Sequence, residues 1–147
     1  MTKYWEDFPV GFRYESDPWE MTGDEIMDFA RKWDPQPFHI DPEAAKDGPF
    51  GGIIASGWHT LVTAFERWYA SGLWAEASMG SPGMTDVKWM VPVRPGDLLR
   101  VVATVTESTA SRSRPDRGRI TVLSEIYNQD GQKVAEYSGI NILRRRP

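Results

Sequence analysis

Cysteine is absent from this chain of 147 residues, which removes disulfides, thiolate nucleophiles and thiolate metal ligands at the start. Histidine is scarce: only His39 and His59 are present, so any imidazole chemistry rests on those two. Positive charge is not in excess, since the formal net charge is −4 and the isoelectric point is near 5.2. That balance carries no footprint for a nucleic-acid partner. No apolar run approaches the length of a bilayer span, and the opening residues, with Glu6 and Asp7 soon after Lys3, lack the layout of a signal peptide. The expectation is a cytoplasmic protein without a membrane partner. Internal repeats and low-complexity stretches are also missing, and the length suits a single domain, expected over 1–147, that buries a core without staples.

Tryptophan, by contrast, is abundant at seven residues, a supply of core and interface area and a source of walls for an apolar tunnel. The most informative stretch starts at Trp33. It reads Trp33-Asp34-Pro35-Gln36-Pro37-Phe38-His39-Ile40-Asp41 and sets a carboxylate and an imidazole five residues apart in a loop braced by two prolines. Proline fixes its own φ and disfavours helix in the residue before it, so Asp34 and Gln36 are pushed toward extended geometry. The pair is a candidate for proton transfer, which needs both groups to converge on one point.

Phe12 to Glu20 alternates and predicts a first strand, after which Thr22-Gly23-Asp24-Glu25 is a capping box opening a helix. Ile26, Phe29, Ala30 and Trp33 form its apolar stripe, and Asp34-Pro35 ends it. Asp41 and Pro42 mark a short helical turn, as N-cap and first helical residue. The longest helix is expected from about Ser56 to Ala70, with Trp58, Leu61, Val62, Phe65 and Trp68 or Tyr69 on a wide buried face. Beyond Gly72 the period changes to two, predicting strands over Thr85–Val93, Leu98–Thr109, Arg119–Tyr127 and Lys133–Leu143. Turns fall at Arg94-Pro95-Gly96-Asp97 and Asn128-Gln129-Asp130-Gly131, and Ser111 to Gly118 reads as a polar loop. One strand, helices and four antiparallel strands make an α+β layout with helix packed on one sheet face.

Asp34, Pro35, Gln36, Pro37, Phe38 and His39, followed by Gly51-Gly52-Ile53-Ile54-Ala55-Ser56-Gly57, resemble the signature of the MaoC-like, (R)-specific enoyl-CoA hydratase family. Val87-Lys88-Trp89-Met90-Val91-Pro92-Val93-Arg94-Pro95-Gly96-Asp97 is similar to that family's strand and turn after the central helix. Gln36 stands where the pattern usually has Asn, which keeps the amide and lengthens its arm. The resemblance implies a single hot-dog domain, in which an antiparallel sheet wraps a long central helix, assembled as a homodimer or higher homo-oligomer with sites near the subunit interface. It implies a lyase that adds water to a trans-2-enoyl-CoA to give an (R)-3-hydroxyacyl-CoA, or the reverse dehydration, with coenzyme A as part of the acyl-thioester substrate and no other cofactor.

The resemblance assigns Asp34 and His39 to the reacting water and the Gly57 amide to the thioester oxygen, while Thr63 matches a small hydroxyl residue near the dyad. Elementary chemistry points the same way for the first three, because hydration needs a base, an acid and donors for carbonyl charge, and a glycine-opened helix start offers N–H groups and a positive dipole end. Ser56 stands at that helix start, and Gln36 is a brace for the loop. Phe38, Trp58 and Trp89 are bulky candidates for the pocket wall.

Three rival readings exist. His39-x-Asp41 with His59 has the ligand types of a non-haem iron site, but Asp41 is better explained as an N-cap, so no metal is expected. Glu66 matches the helix carboxylate of other hot-dog dehydratases and thioesterases; it lies nine residues from Gly57, about two and a half turns from the helix start, and reads as a solvated or salt-bridged group. The function alternatives are therefore an acyl-CoA thioesterase or a non-catalytic acyl-thioester-binding dimer module. The arginines at 112, 114, 117, 119 and 144–146 are surface charges suited to coenzyme A phosphates.

Overall fold

A computed structural model describes residues 2–147. Strands β1 (Arg13–Glu15), β2 (Trp19–Met21), β3 (Gly83–Trp89), β4 (Asp97–Ala110), β5 (Arg117–Tyr127) and β6 (Lys133–Arg144) form one antiparallel sheet in the order β1-β4-β5-β6-β3, with β2 also on β4. Helices α1 (Gly23–Trp33), α2 (Pro37–Ile40), α3 (Pro42–Lys46) and α4 (Gly57–Ala70) come between β2 and β3, and α4 packs across β4 and β6. The result is the hot-dog arrangement, α+β with a sheet curled about a central helix.

The expected first strand is two strands. Pro18 has no N–H for the ladder, so the edge breaks between Glu15 and Trp19. Ser16 bridges the gap: its amide donates to the Val101 carbonyl, and its buried hydroxyl accepts from the Val101 amide at 3.0 Å. The later strands follow the period-two pattern, although β4 ends one residue later than expected, at Ala110, β5 starts inside the 111–118 loop, at Arg117, and β3 stops at Trp89, ahead of Pro92. The two turns are closed by their own carboxylate and amide side chains. Asp97 Oδ2 accepts from the Arg94 amide, and Asn128 Oδ1 accepts from the amides of Asp130 and Gln132.

At α1 the N-cap half of the capping box forms, with Thr22 Oγ1 accepting from the Glu25 amide, while the Glu25 carboxylate accepts from the Thr22 hydroxyl instead of from its backbone amide. Ile26 and Ala30 are fully buried, but Trp33 is exposed and carries Lys32 over its ring. The central helix differs more. Of the predicted face only Leu61 and Trp68 are buried, together with His59, Thr60 and Ala64, whereas Trp58, Val62, Phe65 and Tyr69 are about half exposed. A helix apolar nearly all round does not announce which stripe meets the sheet, and here the small side chains Thr60 and Ala64 allow close approach to it. The bulky stripe faces outward.

His59 lies between α4 and α1, its ring stacked on Phe29 at 4.5 Å and its Nδ1 buried without a partner. Burial holds its pKa below the ordinary 6.5, against a weaker opposing pull from Glu25. A histidine whose folded value is depressed leaves stability whole above the unfolded value and weakens it as pH falls below 6.5, because the unfolded chain then binds the extra proton. Thermal denaturation should therefore show Tm declining from about pH 7.5 to about pH 5.5, and His59→Phe should flatten that decline.

Candidate active site

The turn of chain after α1 is built by its prolines. Asp34, at φ −156° and ψ 67°, and Gln36, at φ −69° and ψ 143°, are both non-helical, and Pro37 then opens the single turn α2 where open loop is expected. Pro37 occupies the first helical position, where a missing N–H costs nothing. That turn carries His39 inward, to 4% exposure, and Phe38 packs edge-on against the imidazole and against Phe50. The segment before α4 is tied to the same turn, since Ile54 donates its amide to the Phe38 carbonyl and its own carbonyl faces His39 Nδ1 at 2.7 Å.

A carbonyl can only accept, so Nδ1 carries a proton in every charge state and Nε2 is the nitrogen free to exchange one. Nε2 lies 3.3 Å from Asp34 Oδ2. The other carboxylate oxygen accepts from the Gln36 amide at 2.7 Å. Burial by itself would push the Asp34 carboxyl up, but the Gln36 and Ser56 side chains and the neighbouring His39 outweigh it and hold it below the ordinary aspartate value. The Ser56 hydroxyl is wholly buried and makes no hydrogen bond of good geometry, yet it is near enough to favour the ionised carboxylate.

These groups open onto a cavity of about 440 Å³. Asp34, Gln36 and His39 form its polar wall, Ile54, Val91, Val93 and Val134 an apolar one, and Gly57 with Trp58 sets the start of α4 into it. The amides of Gly57 and Trp58 donate to no group among the described residues, leaving two free N–H groups at the positive end of a 14-residue helix. A carboxylate, an exchangeable imidazole nitrogen and unpaired amides around one apolar space can move a proton and stabilise charge on a carbonyl oxygen.

Asp34, His39, Gln36 and Gly57 are thus brought together, with Ser56 behind Asp34. Thr63 is not: its hydroxyl donates to the carbonyls of His59 and Thr60 in its own helix, and Thr60 lines the cavity instead. Trp58 and Trp89 are wall residues, while Phe38 supports the wall through Phe50. Residues Met90 to Val93, expected to continue the strand, lie beyond the end of β3 and become cavity lining. Pro92 was the signal for that departure. Among the described residues no group of three His, Asp or Glu side chains is gathered in a metal-holding arrangement, and Asp41 caps α3 by accepting from the Glu43 and Ala44 amides. Glu66 is exposed and paired with Arg67. No arginine lines the cavity, and Arg145 and Arg146 are paired with Glu6 and Asp7.

Comparison with known proteins agrees with the fold. The family model described as MaoC like domain matches residues 9–126. The chain is 40% identical to the MaoC-like dehydratase from Rhodospirillum rubrum, whose crystal structure superposes with a TM-score of 0.91 over 99% of each chain. It is 34% identical over 131 residues to the uncharacterised protein YdeM of Bacillus subtilis, spanning 89% of this chain and 92% of that one. The (R)-hydratase PhaJ1 from Pseudomonas aeruginosa, in its unliganded form, shares the fold with a TM-score of 0.76 at 23% identity, over 98% of this chain and 86% of that one.

The local electrostatics can be tested directly. Gln36→Ala removes a hydrogen bond that favours the ionised carboxyl, so carboxyl carbon NMR should find the Asp34 pKa higher in the variant than in the natural chain, with the acid transition moved toward neutral pH.

Proposed function

The chain belongs to the MaoC-like domain family, and we propose that within it this protein is an enoyl-thioester hydratase, adding water across a trans-2-enoyl-CoA to give an (R)-3-hydroxyacyl-CoA or running the reverse dehydration. The observation that carries the reading is the approach of Asp34 Oδ2 to His39 Nε2 at 3.3 Å inside a cavity that also holds the unpaired amides of α4. The wider family supports dehydratase chemistry. The enoyl-CoA substrate and the roles of the dyad are our inference.

In the hydration direction the Asp34 carboxylate takes a proton from water as the water oxygen bonds to C3 of the enoyl group. The π electrons of the C2–C3 double bond move toward the thioester oxygen, whose charge is met by the Gly57 amide and the dipole of α4. His39, protonated on both nitrogens, then delivers the Nε2 proton to C2. The proton left on Asp34 passes back to Nε2 across the 3.3 Å gap, and the dyad is restored. Hydroxyl and hydrogen come from the same face, so the addition is syn. The sequence is redox-neutral and asks for no organic cofactor or metal beyond the coenzyme A of the substrate.

We further propose a homodimer. Trp58, Val62, Phe65 and Tyr69 make an outward apolar stripe along α4, and β3, an edge strand paired only with β6, exposes Met84 and Trp89. Surfaces of that kind mark interfaces, and a long free edge invites pairing. Light scattering should give about twice the 16.7 kDa chain mass, and Val62→Glu should shift the population to monomer.

Crotonyl-CoA separates the possible activities: loss of the enoyl absorbance without free thiol is hydration, whereas released thiol is hydrolysis. Asp34→Asn and His39→Gln should each lower hydration by roughly 10²–10⁴-fold while circular dichroism stays unchanged. The double variant should be scarcely worse than the poorer single one, because the two groups act as a unit. A folded Asp34→Asn protein with near-normal hydration would overturn the assignment.

A further inference from the structure

Gly57 is not in the left-handed region of backbone space, so the turn into α4 does not require glycine there for its conformation. Space requires it. A Cβ at residue 57 would lie 2.3 Å from both Nε1 and Cε2 of Trp89, inside any tolerable contact. The nitrogen-bearing edge of the indole therefore rests on the residue whose amide is proposed to bind the thioester oxygen.

The distance between the two donors can be bounded. The virtual Cβ shares its Cα with the Gly57 nitrogen, about 2.5 Å away through two bonds, so Trp89 Nε1 and the Gly57 nitrogen are within about 5 Å of each other. Two donors that each approach one oxygen at about 2.9 Å can be no more than roughly 6 Å apart. The pair satisfies that limit. Both residues line the same cavity, and the indole N–H donates to no group among the described residues.

The indole is also held in place. Trp89 is the last residue of β3, opposite Ala135 of β6, and the next two amides, of Met90 and Val91, both donate to the Val134 carbonyl. Trp58 packs against its ring at 6.1 Å and 69°. A donor fixed before the reaction does not have to reorganise as charge appears, which is what makes such groups effective.

We propose that the indole N–H of Trp89 is a second donor to the thioester carbonyl oxygen, paired with the Gly57 amide. The proposal rests on the thioester reading of this site and deepens it: Trp89 touches the substrate, and glycine at 57 is the space that lets it do so. Charge moving onto the carbonyl oxygen strengthens both hydrogen bonds, so the contribution appears mainly in the transition state and hence in kcat.

Two substitutions and one spectrum test it. Trp89→Phe keeps an aromatic wall without the N–H, and 3-benzothienylalanine at position 89 keeps the shape of the indole with sulfur in place of N–H. Both should lower kcat on crotonyl-CoA by about 10- to 100-fold with KM changed less than about threefold. Wild-type activity in the benzothienyl protein would mean that Trp89 is only a wall, whatever the Phe variant does. Butyryl-CoA, which lacks the double bond, supplies a readout independent of turnover. The Trp89 indole proton, assigned by its loss in Trp89→Phe, should move downfield on addition of butyryl-CoA and not of free coenzyme A. An unmoved indole proton with butyryl-CoA bound would overturn the donor role alone. Failure of butyryl-CoA to bind would remove the thioester reading and the donor with it, while a shifted proton without hydration of crotonyl-CoA would uphold the donor and discard only the hydratase chemistry.

Discussion

The peptide unit at Ile54 holds the active region together. Its N–H donates to the Phe38 carbonyl, its carbonyl accepts from His39 Nδ1, and the following amide, of Ala55, donates to the Val93 carbonyl. Three segments distant in sequence are thereby joined over two consecutive residues. The helical turn α2 has only four residues and little stability of its own, so the buried hydrogen bond at His39 fixes where the imidazole lies as well as which nitrogen is protonated. Removing one partner of a buried hydrogen bond leaves the other unsatisfied, at about 1–3 kcal/mol. Loss here would release the imidazole from Asp34 and the wall segment from the turn together.

Asp34 shows how burial and function are reconciled. A carboxylate at a cavity wall loses hydration, which favours the neutral acid and would weaken it as an anionic partner for His39. Gln36 supplies one direct hydrogen bond, at 2.7 Å to Oδ1, and leaves Oδ2 facing His39. The division of labour follows from valence: one oxygen is occupied by an amide that cannot accept a proton back, so the chemistry is confined to the other. The arm of Gln36 reaches back across Pro35 to the carboxylate, two residues before it in the chain.

Much of this was legible in the sequence wherever one residue type has one physical use. Thr22 with Glu25, and Asp41 ahead of Pro42, marked helix starts that the hydrogen bonds reproduce, and the Asp34–His39 spacing marked the dyad. Long-range packing was not legible. The exposed stripe of α4 is as hydrophobic as its buried one, so periodicity found the helix and misplaced its face. Thr63 failed for a geometric reason: at 100° per residue it is turned about 240° from Gly57, whereas Thr60, at about 300°, returns to nearly the same side one turn on. Trp89 is close to Gly57 only through the β3–β6 register, which no local signal encodes.

The start of α4 carries the cost of the arrangement. Ser56, a residue suited to capping, makes no capping hydrogen bond; its hydroxyl is buried without a partner beside Asp34, and the next two amides are unpaired. Each of those groups would stabilise the helix if satisfied from within the chain. Glycine at 57 adds no side chain to support that turn, because the Trp89 indole occupies the space a Cβ would need. Instead the sequence keeps a weak, underbonded first turn directly at the cavity, followed by Leu61, Ala64 and Trp68 buried against the sheet. That packing is what allows the first turn to stay unsatisfied: the helix is anchored from its second turn onward, so its leading amides need not take part in folding and remain available to an acceptor from outside the chain.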